Sequence, residues 1–406
     1  IGVLALAGSI IPAFGCQVLK VTAGDGRSVV GRDMQFALKE SEFKSHWRTH
    51  SCGNTFHTVE GSSWPIKHGY LGVEMFDLDD TIDGVNTKGL QCSGLYFPGF
   101  AKFQKVGPNY RGIVVPQLFF CDYVLGNFQS VQEVNASVPL IKVVTMKMPD
   151  GNQPLHWSVT DRAGNSVIVE YVKGQLSLYN NFVGVMTNSP PYDWHLLQLQ
   201  MWAPTMNSTN PSGTTYGDVT FAPQGNWGSM MGLPGDFSPS SRFIRQSVML
   251  HFAGSPRFIP TQEKAVLMMQ HMLNAGDQVN GTLIDLDALG EYKSSVASDW
   301  TVIYDLNGGV LFRSYESQVW QFINMSALDF SKGAREVRMS AYDVVPPPDV
   351  TGQMKPISLA KTGNLRAVRQ HVADSDQTVF MQSYMAVPSA LSEPKEEGEE
   401  QDSQEL

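Results

Sequence analysis

The chain has 406 residues, of which 42% are hydrophobic and 17% charged, and its net charge is -10. That is ordinary globular material with enough apolar residues for a large core, and it carries no basic stripe of the kind a nucleic-acid partner requires. Much of the acidic excess lies at the end, where Glu393, Glu396, Glu397, Glu399, Glu400, Asp402 and Glu405 face a single Lys395, so residues 389–406 read as a solvated, disordered acidic tail.

In chain order, residues 1–15 (IGVLALAGSIIPAFG) come first, apolar and uncharged. A stretch of about fifteen falls short of the roughly twenty residues that span a bilayer and suits a signal peptide, here shortened at its start. Small Ala13 and Gly15 fit a cut before Cys16. Residues 16–388 are expected to form one domain, with no later stretch long and apolar enough for a stable membrane span. Gln17–Thr22 and 28–36 are β-prone and joined by Ala23-Gly24-Asp25-Gly26, which predicts a hairpin with Cys16 at its head. Residues 156–160 with 165–171, and 301–304 with 310–315, predict two more. Helical signals fall at 117–126, at 130–134 with Ser130 and Glu133 as a capping box, near Ser240 onward through Phe243, Ile244, Val248 and Leu250, and at 262–275. Between them 202–236, rich in Asn, Gly, Pro, Ser and Thr, reads as a long loop. Strand pairs alternating with helical blocks, without strict βαβ repetition, predict a layered α+β domain with largely antiparallel strands.

The four cysteines, Cys16, Cys52, Cys92 and Cys121, show neither CxxC pairing nor metal-like spacing. A disulfide among the last three is allowed in an exported protein, and buried free thiols are an equal alternative. HExxH, GxSxG and Walker motifs are absent from the sequence, which gives metal and serine hydrolases little weight. Cys16 offers a different chemistry. Freed by cleavage, it would carry an α-amine of ordinary pKa about 7.7 to 8, so nucleophile and base would belong to one residue. A thiol of ordinary pKa about 8.5 needs a nearby cation to ionise, and Arg32 on the partner strand can supply it. The alternatives are a lipid-modified cysteine after AFG, and an Arg32 spent on a salt bridge with Asp33 or another acid.

Cys16 is followed by GRDMQF (31–36), DGVNTKGLQCSGLYFPGF (83–100), TNSPPYDWH (187–195), LPGDFSPSSRFIR (233–245) and TVIYDLNGGVLFRSYES (301–317). In order and spacing these runs resemble the choloylglycine hydrolase family, which includes bile salt hydrolases and penicillin V acylases, and the likeness covers nearly all of the chain from Cys16 to about Tyr384. The resemblance implies a four-layer αββα N-terminal-nucleophile hydrolase sandwich with mainly antiparallel sheets. It implies hydrolysis of a linear, non-peptide amide such as penicillin V, a conjugated bile salt or an N-acyl homoserine lactone, with no cofactor and no metal. The expected partner is this small-molecule amide, the expected location secreted or periplasmic, and a homo-oligomer is left open.

Residue by residue, the resemblance makes Cys16 the nucleophile, Arg32 and Arg242 active-site arginines, Asn188 an oxyanion donor, and the main-chain N–H of Tyr96 a second donor. Asn188 could instead be only a turn residue before Ser189-Pro190-Pro191, and Arg242 a decoration of a helix's first turn. One departure stands out. The family places Asp three residues after the arginine, where it holds the α-amine, and this chain has Gln35. Its amide oxygen can still accept a hydrogen bond but brings no charge; Asp33, on the same strand face, is expected to compensate in part. The departure motivates the rival reading, a secreted or lipid-anchored binding protein of the same fold with little turnover.

Overall fold

The computed structural model describes residues 15–37, 45–75, 79–146, 153–207, 209, 214–221, 229–286, 290–343, 345–349 and 351–353. The chain divides into Ile1–Pro346 and Pro347–Leu406, and the second unit contributes the 3-10 turn Thr351–Gln353 to the described residues. The expected leader up to residue 14, the remainder of the expected domain after 353 and the acidic tail lie outside the described residues.

The first hairpin forms where the sequence places it, Gln17–Thr22 against Ser28–Ala37. Its turn closes because Gly26 adopts φ 82°, a left-handed conformation open to glycine at little cost, and donates its N–H to the Ala23 carbonyl. This hairpin is the centre of an antiparallel sheet ordered Val185–Met186, Gln17–Thr22, Ser28–Ala37, Tyr292–Asp305, Gly309–Ser314, Gln321–Asn324, with Leu283–Leu286 also on Tyr292–Asp305. A second antiparallel sheet runs Gln175–Asn180, Ser166–Val172, Leu155–Thr160, Gln91–Tyr96, Thr81–Asn86, Tyr70–Glu74, His46–His50, Arg338–Ser340.

Two glycines show which faces carry helices. A Cβ on Gly31 would lie 2.6 Å from Met269 Sδ and 2.9 Å from Leu273 Cδ1, which shows helix Gln262–Asn274 seated closely on the first sheet. A Cβ on Gly84 would lie 2.9 Å from Leu125 Cδ1, which seats helix Phe120–Asn127 on the second. Met269 and Leu273 are fully buried there, each worth about 1.5–3 kcal/mol in apolar burial. The inner faces meet directly: Trp47 and Phe312 pack across them, tilted at 56° with centroids 5.3 Å apart, and Arg32 reaches Asp83 from one sheet to the other. The architecture is thus helix, sheet, sheet, helix, the mainly antiparallel four-layer sandwich the resemblance implied.

The other two hairpins are present as Leu155–Thr160 with Ser166–Val172 and Tyr292–Asp305 with Gly309–Ser314. Helices occupy Phe120–Asn127, Val131–Ser137, Pro239–Ala253 and Gln262–Asn274. At Val131–Ser137 the capping box is shifted: Ser130 Oγ accepts from Glu133 N–H, but the Glu133 carboxylate returns to Gln129 N–H instead of that of Ser130. Helix Tyr192–Trp202 and the small hairpin Thr214–Tyr216 with Val219–Phe221 were not anticipated. Cys92 and Cys121, with Cα atoms 5.5 Å apart, form a disulfide, while Cys52 is a free thiol.

Candidate active site

Alternation along Ser28–Ala37 sorts the motif into two environments. Arg32 and Met34 point between the sheets; Asp33 and Gln35 share the Gly31 face, toward residues 276–278. Cys16, at the head of the neighbouring strand, sends its thiol to the inner side. Arg32 Nη2 lies 3.6 Å from Cys16 Sγ and also donates to the Gly94 carbonyl at 2.9 Å. Its Nη1 donates to Asp83 Oδ2 at 2.6 Å, both side chains being wholly buried. Arg32 thus stands beside the thiol and is also paired with an acid, which is Asp83 rather than Asp33. Removing one member of such a pair would leave an uncompensated buried charge, a cost of about 3–5 kcal/mol.

Asn188 and Arg242 converge on the main chain of the same cysteine. Cys16 N–H donates to Asn188 Oδ1 at 2.8 Å, and Arg242 Nη2 donates to that oxygen at 2.8 Å. Arg242 Nη1 donates to the Cys16 carbonyl at 2.6 Å and its Nε to the Phe237 carbonyl at 3.0 Å. Burial pulls the Arg242 guanidinium down to about 10, against the pull of neighbouring negative charge, which still leaves a cation at neutral pH. Helix Pro239–Ala253 carries it in its first turn, after the Ser238 cap that accepts from Ser241 N–H. With its Oδ1 held by these two donors, Asn188 turns Nδ2 to donate to the Tyr96 carbonyl at 2.8 Å. The five residues proposed from the sequence thus meet in one buried cluster, although Tyr96 enters this network through its C=O.

Gln35 and Asp33 are placed differently. Gln35 Nε2 donates to the Gly276 carbonyl at 2.6 Å, and its Oε1 has no hydrogen-bond partner among the described residues. That oxygen points at Gly15: a Cβ there would collide with it and come within 2.7 Å of Gln278 Nε2. Asp33, on the same strand face, is bonded through one carboxyl oxygen. Its register partner is Gln17, whose Nε2 donates to Asp33 Oδ2 at 2.5 Å, and burial followed by the Asp277 charge pushes the Asp33 carboxyl up to about 7. We expect Gln35→Asp to move the basic limb of the pH–rate profile upward, because a carboxylate beside an amine favours its protonated form. An unchanged profile would show that position 35 does not face the amine.

Asp83, Met34 and Gln278 complete the surroundings without having been assigned from the sequence, although Asp83 opens one of the quoted runs. A recess of about 30 Å3 opens at Cys16 between Met34, Phe36, Met75, Ile82, Tyr96 and Leu155. A larger cavity of about 550 Å3, beside Lys20, Phe182 and His251, shares no lining residue with it. Among the described residues no group of His, Cys, Asp and Glu could hold a metal ion, and no helix is long and apolar enough to cross a membrane.

Two facing antiparallel sheets between helices, with a cysteine at the head of a central strand, define the fold of the N-terminal-nucleophile hydrolases. The family model described as linear amide C–N hydrolases, choloylglycine hydrolase family, matches residues 16–337, and the chain belongs to that family. It is 29% identical over 323 residues to a bile salt hydrolase/transferase of Clostridium perfringens, covering 77% of this chain and 92% of that one. It is 29% identical over 206 residues to a penicillin V acylase of Pectobacterium atrosepticum, covering 48% and 49%. The crystal structure of a variant conjugated bile acid hydrolase from Clostridium perfringens matches with a TM-score of 0.73 at 26% identity, over 83% of this chain and 100% of that one. Penicillin V acylase from Agrobacterium tumefaciens shares the fold, with a TM-score of 0.62 at 20% identity over 80% of this chain and 90% of that one. The chain is a hydrolase acting on carbon–nitrogen bonds in linear amides.

Proposed function

We propose that Cys16, freed as an N-terminus by removal of residues 1–15, is the nucleophile of an amidase acting on a non-peptide N-acyl amide. The observation that carries this reading is the convergence on one residue: Asn188 at its nitrogen, Arg242 at its carbonyl and Arg32 at its sulfur. The free amine takes the thiol proton as sulfur attacks the acyl carbon. The oxyanion so formed meets the second N–H of Asn188 Nδ2 and the main-chain N–H of Tyr96. Collapse of the tetrahedral intermediate breaks the C–N bond, the amine of Cys16 returns its proton to the leaving nitrogen, and a thioester remains. Water activated by the same amine then releases the carboxylate.

The apolar recess beside the sulfur suits an apolar acyl group, which penicillin V, conjugated bile salts and N-acyl homoserine lactones all carry. The names of the relatives favour the first two. We also place the protein in a secreted or periplasmic setting, a reading supported by the Cys92–Cys121 disulfide, since such bonds persist in oxidising compartments. Intact-mass measurement of the exported protein, paired with turnover of the three amides, tests the whole reading. A mass starting at an unmodified Cys16 together with hydrolysis is expected. A lipid-modified Cys16 without turnover would instead establish the rival binding protein. A form verified to retain Gly15 should be inactive, because its nitrogen is then an amide without useful basicity; turnover by that form would contradict the mechanism.

A further inference from the structure

His156 and Glu170 lie behind the active site on adjacent strands, Leu155–Thr160 and Ser166–Val172, and both are buried. His156 Nδ1 is 3.1 Å from Glu170 Oε1, and its Nε2 is 3.0 Å from the Thr187 carbonyl. Both ring nitrogens therefore face oxygens. A carbonyl can only accept, so Nε2 must carry a proton. At Nδ1 a single further proton is shared with the carboxyl group. Glu170 also accepts from Tyr192 N–H, with Oε1 at 3.1 Å and Oε2 at 3.4 Å, at the N-terminus of helix Tyr192–Trp202. That helix end favours the anionic carboxylate and leaves the proton on the ring. Phe97, the residue after Tyr96, stacks flat on the imidazole with centroids 4.1 Å apart and an interplanar angle of 4°, an arrangement a cationic ring gains from.

The contacts form a brace. Asn188 belongs to the short connection 187–191 between strand Val185–Met186 and helix Tyr192–Trp202. Glu170 holds one end of that connection directly, at Tyr192 N–H, and the other through His156, at the Thr187 carbonyl. In between, His195 Nε2 lies 3.0 Å from the Asn188 carbonyl, and burial holds that imidazole down to about 4, hence neutral and donating. The other titratable groups around the pair are the hydroxyls of Tyr192 and Tyr179, with Arg242 beyond His195.

We propose that His156, held as an imidazolium by Glu170, is a positioning residue that fixes the connection carrying Asn188 and so aims its amide at the oxyanion. The inference rests on the assignment of Asn188 as an oxyanion donor. Its test combines 15N spectra of histidine-labelled protein with kinetics of His156→Ala and Glu170→Gln. In the wild type the spectra at pH 7 should show a proton on both ring nitrogens of His156. In Glu170→Gln at pH 7 one of them should have lost its proton. His156→Ala should lower kcat about ten- to a hundredfold with KM little changed, the scale of a displaced reacting group. A singly protonated His156 in the wild type at pH 7 overturns the proposal, as does wild-type kcat in His156→Ala. If His156→Ala does not fold, the spectra of the wild type and of Glu170→Gln decide it. Asn188→Ala is assayed in parallel: turnover retained there fails the oxyanion assignment, whereas turnover retained only in His156→Ala fails the brace.

Discussion

Cys16→Ala is expected to abolish hydrolysis, with kcat lowered on the order of a millionfold, the scale seen when a covalent nucleophile is removed. The fold should survive. The substitution deletes one buried sulfur that touches Met34 Sδ at 3.6 Å and Arg32 Nη2 at 3.6 Å. Arg32 keeps its bonds to Asp83 and to the Gly94 carbonyl, so no charge is orphaned and the stability cost is on the order of 1 kcal/mol. Cys16→Ser should be nearly as inactive, because a hydroxyl is far harder to ionise than a thiol beside the same amine. Kinetics on the best amide, run beside a thermal melt, separate the two effects. Wild-type turnover in Cys16→Ala would sink the mechanism.

The hairpins that build the first sheet were legible because turn residues bracket short β-prone runs; Ala23-Gly24-Asp25-Gly26 closes just where a left-handed glycine is needed. Six of the second sheet's eight strands were not legible, and for three of them burial explains why. Tyr70–Glu74, Thr81–Asn86 and Gln91–Tyr96 are buried along their whole length, so no alternation of polar and apolar residues marks them. Several of their buried residues are polar: Asp83 accepts from Arg32 and Asn86 donates to the Leu125 and Phe128 carbonyls, both far along the chain, while Gln91 and Ser93 donate to Asp83 on the adjacent strand. The same limit applied at the site. Cys16 and Arg32 could be read as neighbours from one hairpin, but Asn188 and Arg242 reached the list only through the family resemblance. What holds those two together is a contact between segments far apart in sequence. Asp33 marks a further limit. Sharing a strand face with Gln35 made it a reasonable substitute, but the sequence did not show that Gln17 would take one of its carboxyl oxygens.

Asn188→Ala is expected to lower kcat about a hundred- to a thousandfold, the usual cost of one oxyanion donor, with a smaller effect on KM. Alanine removes two functions at once, since Asn188 Oδ1 accepts from the Cys16 nitrogen and from Arg242 while Nδ2 supplies the donor. Asn188→Asp separates them. An aspartate keeps an acceptor for the Cys16 amine and for the Arg242 guanidinium, but loses the N–H and places a negative charge where the oxyanion must form. If the donor is what matters, Asn188→Asp should be at least as slow as Asn188→Ala. If the acceptor that orients the amine matters more, Asn188→Asp should recover turnover relative to Asn188→Ala, and the oxyanion role would pass to the main chain at Tyr96. Both variants leave the Tyr96 carbonyl without its Nδ2 partner, so that loss is common to the pair and cancels from the comparison.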